Sequence, residues 1–382
     1  MIIGARDKIK METVKDLKVI IYNPQDKNNQ IVKNFLKLKN KIFFNYQDET
    51  FLEKIIFSLK EKGYKSKEVL ILKKFPGRIY QKCPGSPKMI CCNYRLLNTC
   101  FDCLYDCTYC FLNFYLNSFG IIQFINLDQI SDEIKKNLDI NHHFIYRLGT
   151  GEFTDSLMMD ETTGLAKKFI KESLPFKNIM LEFKTKSKNI SHLLNIKEKG
   201  NTVLAWSLNT TKAIKSYEKG TALLAQRLEA ARQAGQAGFY LAFHFDPIII
   251  YKNFMKEYLQ IVDRLFQTIN PDQVVWISLG GFRYAKDFKK IIRAKFPEEQ
   301  LTTAEMFPGL DEKYRYFKKN RVEIYTNLKE KILSYTKKPF IYLCMESSEV
   351  WQAVFGVKYN SSEDLEKNFS IHLNQNFLHL DC

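Results

Sequence analysis

The sequence predicts an α/β fold built around a partial (β/α)6 TIM-like barrel, and three observations carry that expectation. Apolar, β-rich runs alternate with helical stretches between residues 144 and 296, the pattern of successive β-α units around a parallel sheet. The chain has 382 residues, enough for one barrel of about 200–250 residues with smaller attachments. Neither a short repeat nor a low-complexity segment breaks the alternation.

Residues 1–80 read as a small N-terminal α/β cap, in which 18–22 (KVIIY) is a strand, 30–38 a helix and 69–73 another strand. A passage rich in cysteine, proline and glycine, CPGSPKMICC at 83–92, leads from the cap into the barrel at 81–300. There a strand at 144–148 leads into a helix at 158–174, then 179–184 into 190–198 and 203–208 into 223–234. The alternation continues with 240–245 into 253–269 and 274–279 into 286–296. Residues 301–382 supply a basic hairpin followed by closing helices and strands.

Lys and Arg total 58 against 42 Asp and Glu, a net +16 that favours an anionic partner without identifying it. Residues 1–8 (MIIGARDK) lead into charged sequence rather than an apolar signal core. The longest apolar stretch, 239–251, is interrupted by His244 and Asp246 and is too short to span a bilayer. A soluble, cytoplasmic protein is therefore expected. Nine cysteines agree with a reducing compartment if they are metal ligands or free thiols.

The run CLYDCTYC places Cys103, Cys107 and Cys110 at C-x-x-x-C-x-x-C spacing. Such a loop wraps three corners of a 4Fe-4S cubane and leaves the fourth iron open, as a catalytic metal requires. This is the spacing of radical S-adenosylmethionine (SAM) enzymes, whose open iron chelates SAM. Cys100 extends the run toward a pair of zinc knuckles, but three intervening residues are too few to face two turns around one ion. Thiols packed as small hydrophobes are the plain alternative. Cys83, Cys91, Cys92 and Cys100 are spaced irregularly and read as packing or loop thiols rather than a second metal site.

A parallel barrel carries its functional groups on the loops after the strand C-termini. Gly149, Thr150, Gly151 and Glu152 follow the strand FIYRL, where the glycines admit a close ligand and Glu152 suits an ammonium group. Lys186 follows IMLEFK and suits a carboxylate; Ser207 and Asn209 end VLAWSLN, and Asp246 ends YLAFHFDP. Each signal is weak alone. Thr154 replaces the third glycine of a dinucleotide fingerprint, no Walker A sequence is present, and Glu152 and Ser207 are equally good helix caps.

With these segments in view, the chain resembles the spore photoproduct lyase family of the radical SAM superfamily. The similarity runs from about Lys18 to about Val357 through IIYNP, EVLILKKF, CTYCFLNFYLN, FKTK, WSLNT, RLEAARQAGQAGFYLAFHFDPI and FRYAKDFKKII, in order. The resemblance implies a radical SAM partial barrel and a lyase that reverses a pyrimidine photolesion in DNA through a 5′-deoxyadenosyl radical. It implies cluster ligation by Cys103, Cys107 and Cys110, with Tyr109 beside the adenosyl group. SAM contacts fall to Glu152, Lys186, Ser207 and Asn209, with Gly149, Thr150, Gly151 and Asp246 as further cofactor candidates from their place at the strand ends. An electron donor such as flavodoxin or ferredoxin and a monomeric state go with it. Three positions depart from the pattern: Gly151 replaces a serine, Phe111 a tyrosine, and Gly149 the cysteine that returns a hydrogen atom to the substrate radical. Tyr109 or Cys344, in the run LCME, is the expected substitute, against the reading of Cys344 as a packed core thiol.

Residues 313–321 (KYRYFKKNR) gather five basic residues with three aromatics. Phosphate neutralisation and base stacking use such composition, so Lys313, Tyr314, Arg315, Tyr316, Lys318, Lys319 and Arg321 are the nucleic-acid candidates. A charged turn with aromatics facing the core is the alternative. Two other functions remain open at this stage: a radical SAM enzyme acting on RNA, a peptide or a small molecule, and a cluster-bearing nucleic-acid-binding protein without turnover.

Overall fold

The computed structural model describes residues 13–116, 118–127, 130–138 and 144–380. Seven parallel strands form a curled half barrel in the order Arg95–Leu97, Tyr146–Gly149, Ile179–Thr185, Thr202–Ser207, Tyr240–Ile248, Val274–Gly281 and Phe340–Leu343. Tyr80–Lys82 is added antiparallel at the Arg95–Leu97 edge. Every residue of Thr202–Ser207 and Val274–Gly281 is buried, because helices cover one face of the sheet and the barrel interior the other. The outer helices dock by apolar stripes: Phe254–Thr268 buries Tyr258, Ile261, Val262 and Leu265, at the spacing of one helix face.

The five expected strands are all present, and the sheet gains two more parallel strands besides the antiparallel Tyr80–Lys82. Arg95–Leu97 precedes the cysteine run, and Phe340–Leu343 comes from the C-terminal region, so the closing segment is part of the barrel sheet. The expected helix at 158–174 is broken into Asp160–Thr163 and Leu165–Ser173 by Gly164, which adopts φ 67, a left-handed conformation that costs glycine little. The helix at 190–198 shrinks to Ser191–Leu194, ahead of the charged run 197–199 and Gly200 at φ 52.

The cap sheet crosses the boundary placed at residue 80. Its order is Ile42–Asn45, Val19–Tyr22, Val69–Lys73, Ile121–Phe124 and Cys100–Phe101, the first four parallel and the last antiparallel. Two of its strands therefore flank the cysteine run, which leaves the cap sheet after Phe101 and returns to it at Ile121. Near the other end of the chain, Phe307–Pro308 and Tyr314–Arg315 form the expected hairpin, extended by Arg283–Tyr284 into a small antiparallel sheet. Among the described residues, no helix is long and apolar enough to cross a membrane.

Candidate functional site

The cysteine loop is held at both ends and in its middle. Asp102, in the left-handed region at φ 71, accepts from the Cys103 amide (2.8 Å) and pairs with Lys67. Asp106–Cys107 forms a two-residue antiparallel ladder with Glu218–Lys219, tying the loop to the barrel. Beyond it the Cys107 carbonyl accepts from the Cys110 amide (3.0 Å) and from Asn113 Nδ2 (3.0 Å). Cys107 is buried; Cys103 and Cys110 are half-buried. Burial pushes all three thiols up, while Lys67 acts on Cys103 and Cys110, and Lys186 on Cys107 and Cys110, in the opposite direction. Among the described residues, no three His, Cys, Asp or Glu side chains converge as tightly as a single metal ion needs. A cubane spreads its ligands over separate corners, and two flanking cations suit the negative charge of a thiolate-bound cluster.

Tyr109, between the last two cysteines, donates its hydroxyl proton to Glu218. Glu218 forms an ion pair with Arg227 in which both side chains are almost wholly inaccessible to solvent. Arg227 spends its other donors on Ala222 O (2.9 Å), Ser207 O (2.8 Å) and Thr221 Oγ1 (2.8 Å). One guanidinium thus fastens the end of the Thr202–Ser207 strand to the ladder that carries Cys107. Lys186 Nζ lies 5.8 Å from the centre of the Tyr109 ring, while its backbone amide donates to Asp155 (2.6 Å).

The other barrel candidates divide into open and engaged groups. Ser207 Oγ is buried without a hydrogen-bond partner, and Glu152 has no hydrogen bond or ion pair among the described residues. Burial raises the Glu152 carboxyl, Lys184 opposing and Asp246 assisting. Asn209 is saturated: its amide donates to Glu218 (3.2 Å) and Pro247 O (3.2 Å), and its oxygen accepts from Thr210 N (3.0 Å) and Tyr258 Oη (2.5 Å). It braces the loops and has no capacity left for a direct ligand bond. Thr150 donates to Ser156 (2.8 Å), and Gly151 sits so close to Ser156 and Lys184 that a Cβ would press on both. Asp246 accepts from Arg283 Nη1 (3.3 Å), whose Nη2 reaches Cys344 Sγ at 3.2 Å. Burial and neighbouring Asp246 hold Cys344 as a protonated thiol. Cys100 is buried in the main core, as a packing thiol would be.

Gly149 abuts a side chain that the sequence did not single out. A Cβ built there would lie 2.5 Å from Tyr94 Cζ, closer still to Tyr94 Oη, and 3.0 Å from Glu182 O. The Tyr94 hydroxyl donates to Glu182 inside the barrel, where His244 Nε2 (2.7 Å) and Trp276 Nε1 (3.1 Å) also meet that carboxylate. Burial disfavours the Glu182 charge, but His244 and the Tyr94 hydroxyl, with Lys184 nearby, hold its pKa down at about 2. Burial also lowers His244, leaving a neutral ring whose Nδ1 accepts from Ser278 Oγ (2.7 Å).

The basic segment is only partly outward-facing. Arg315, whose side chain is 2% exposed, pairs with Asp311; Tyr316 is buried and its hydroxyl accepts from the Ile250 amide (3.1 Å), and Arg321 pairs with Glu346 (3.0 Å). Lys313 donates to Ser86 (2.6 Å), and Tyr314 stacks on Tyr284 at 5.5 Å between centroids. Arg315, Tyr316 and Arg321 thus serve the fold, since each polar group shielded from water finds a protein partner. The exposed set is Lys318, which pairs with the exposed Glu349, and Lys319, together with Phe307 (41%), Leu310 (60%) and Phe317 (53%) on and beside the hairpin.

A family model described as spore photoproduct lyase matches residues 92–344, more than half of the chain, including the cysteine loop and the barrel strand ends. The chain belongs to the spore photoproduct lyase family. Within this radical SAM family, it is 28% identical over 225 residues to the spore photoproduct lyase of Bacillus subtilis (strain 168), covering 58% of this chain and 64% of that relative. It is 28% identical over 255 residues to that of Geobacillus sp. (strain Y412MC61), covering 65% and 73%. The first of these alignments therefore spans less than two thirds of the relative. A solved spore photoproduct lyase complexed with dinucleoside spore photoproduct superposes with a TM-score of 0.71 at 22% identity, over 86% of this chain and 98% of that one. A mutant lyase with bound AdoMet and the same dinucleoside superposes at 0.70 and 21% identity, over 87% and 99%, and both matches establish the fold.

Sequence reading located the cysteine loop and the strand ends but missed Glu218, Arg227, Tyr94, Glu182, His244 and Arg283. One signal was available: Arg227 interrupts the apolar face of the Leu224–Gln236 helix between Leu224 and Leu228, where a charge needs a buried partner.

Proposed function

We propose that this protein is a radical SAM lyase acting on a pyrimidine photolesion in DNA, holding a 4Fe-4S cluster on Cys103, Cys107 and Cys110 and SAM at the barrel mouth. The observation that carries the reading is Lys186, which follows the barrel strand Ile179–Thr185, overlies the Tyr109 ring and exerts its charge on Cys107 and Cys110. Cluster loop and strand ends thereby share one mouth. When bound, the cluster and SAM supply a deoxyadenosyl radical that takes hydrogen from the substrate.

The chain's own residues bind and orient. Glu152, unengaged by protein, receives an ammonium group; Lys186 meets a carboxylate; the unpartnered Ser207 hydroxyl finds its hydrogen bond in the cofactor. Tyr109 borders the adenosyl side, held by Glu218, and Asn209 and Asp246 fix the loops around it. On the DNA side, the exposed Phe307, Leu310 and Phe317 form an apolar wedge, with Lys318 and Lys319 beside it for phosphates. Cys344 sits beside Asp246 with its proton retained and its sulfur fixed by Arg283. A small flavin or iron-sulfur protein as reductant, a monomeric state and a cytoplasmic location complete the reading.

Anaerobic reconstitution with iron and sulfide, followed by measurement of 5′-deoxyadenosine release with and without irradiated DNA, tests it. DNA-dependent release supports the lyase. Release indifferent to DNA points to another substrate, a reading favoured by Gly149 at the family's thiol position. No release leaves a cluster-bearing nucleic-acid-binding protein.

A further inference from the structure

We infer that Tyr94 is the hydrogen-atom donor of this enzyme, its phenol standing in the space where the family carries a thiol side chain. The inference rests on the lyase reading above. Gly149 has no left-handed backbone to explain it, so the reason for a glycine is space, and the space is filled by the Tyr94 hydroxyl. Any side chain at 149 would have to displace that phenol. Tyr94 comes from the segment leading into the Arg95–Leu97 strand, whose Leu96 pairs with Gly149, so two adjoining parallel strands set the placement.

The surroundings suit removal and return of a neutral hydrogen atom. Arg147 lies 5.7 Å from the centre of the Tyr94 ring, and a cation there opposes loss of an electron without its proton. Burial and Glu182 hold Tyr94 as the phenol, so its O–H bond is intact. In the step, the hydroxyl turns from Glu182 to the substrate; the O–H bond breaks, a C–H bond forms at the carbon radical, and a neutral phenoxyl remains on Tyr94. One electron from a low-potential flavin or iron-sulfur protein and one proton restore the phenol. The Ser278, His244 and Glu182 chain leads that proton to the oxygen. Cys344 is placed differently, with its sulfur held by Arg283 beside Asp246.

The test is anaerobic turnover of irradiated DNA in D2O by the reconstituted full chain, reading deuterium in the repaired pyrimidine and the phenoxyl radical by freeze-quench EPR with ring-deuterated tyrosine. The parent protein is expected to deliver solvent deuterium to the product and to show a phenoxyl signal narrowed by the label. Tyr94→Phe is expected to lose both while still releasing 5′-deoxyadenosine, and Cys344→Ala to keep both. Combining Tyr94→Ala with Gly149→Cys opens the space and places a thiol in it; deuterium delivery is expected to return without the phenoxyl signal. Unchanged deuterium in Tyr94→Phe overturns the donor role and leaves the lyase standing. Absence of DNA-dependent 5′-deoxyadenosine from the parent overturns the lyase, and the donor role with it.

Discussion

Adding a single methyl group at residue 149 is expected to destabilise the protein, because the Tyr94 phenol already occupies its place. In Gly149→Ala the new Cβ falls 2.5 Å from Tyr94 Cζ and 3.0 Å from Glu182 O, and the backbone oxygen cannot swing away as a side chain can. Overpacking of this kind costs about 1–3 kcal/mol. Displacing the phenol also removes its hydrogen bond to the ionised Glu182, worth about 1.5–3 kcal/mol as a bond to a charged group. Together these amount to roughly 2.5–6 kcal/mol, and at about 2 °C per kcal/mol for a chain of this size the midpoint falls by about 5–12 °C. Anaerobic thermal melts of cofactor-free protein, followed by far-UV circular dichroism, measure it. The same change in a Tyr94→Ala background is expected to cost far less, since the obstacle is gone. A Gly149→Ala midpoint within about 2 °C of the parent, or an equal cost in both backgrounds, refutes the argument.

Acid should weaken the barrel interior. His244, lowered in the fold, fails to take the proton that the unfolded chain binds below about pH 6.5, and Glu182 resists protonation from about 4.5 down to about 2, so both make stability fall as pH falls. Urea midpoints below pH 5 should be flatter in Glu182→Gln. Arg227→Met strands Glu218 as a buried lone charge, costing about 3–5 kcal/mol and loosening the Cys107 ladder; iron retained per chain after reconstitution should drop, and Arg227→Lys should not restore it. Ser207→Ala removes a hydroxyl with no protein partner, so the melting midpoint should hold while SAM affinity by calorimetry falls about fivefold, near 1 kcal/mol. Exchanging Lys318 and Lys319 for glutamine should weaken DNA binding and flatten its salt dependence by about one unit of slope per lost phosphate contact, whereas Arg315→Gln should lower the melting midpoint instead.

How far sequence reading reached follows from the range of each interaction. The barrel strands were legible because parallel strands covered on both faces are continuously apolar, as in the buried run Val274–Gly281. The cysteine loop was legible because its chemistry is written in eight adjacent positions. Bracing partners were not, because they are distant along the chain and ordinary in type: Tyr94 meets Glu182 and Tyr109 meets Glu218 only after folding brings separate strands together. Composition overstated the basic segment for a related reason. Arg315 turns back on Asp311, four residues earlier, and a residue count cannot tell a paired arginine from an exposed one. The helix break at Gly164 is a local fact that periodicity averages away.

Because the cysteine run leaves and re-enters the N-terminal sheet while its midpoint is laddered to Glu218–Lys219, its shape is a property of two bodies rather than one. Iron loading should accordingly act as a clasp. Whatever metal free energy the thiols gain is shared with the docking of the cap, so the loaded protein should resist proteolytic separation of the two parts far better than the empty one.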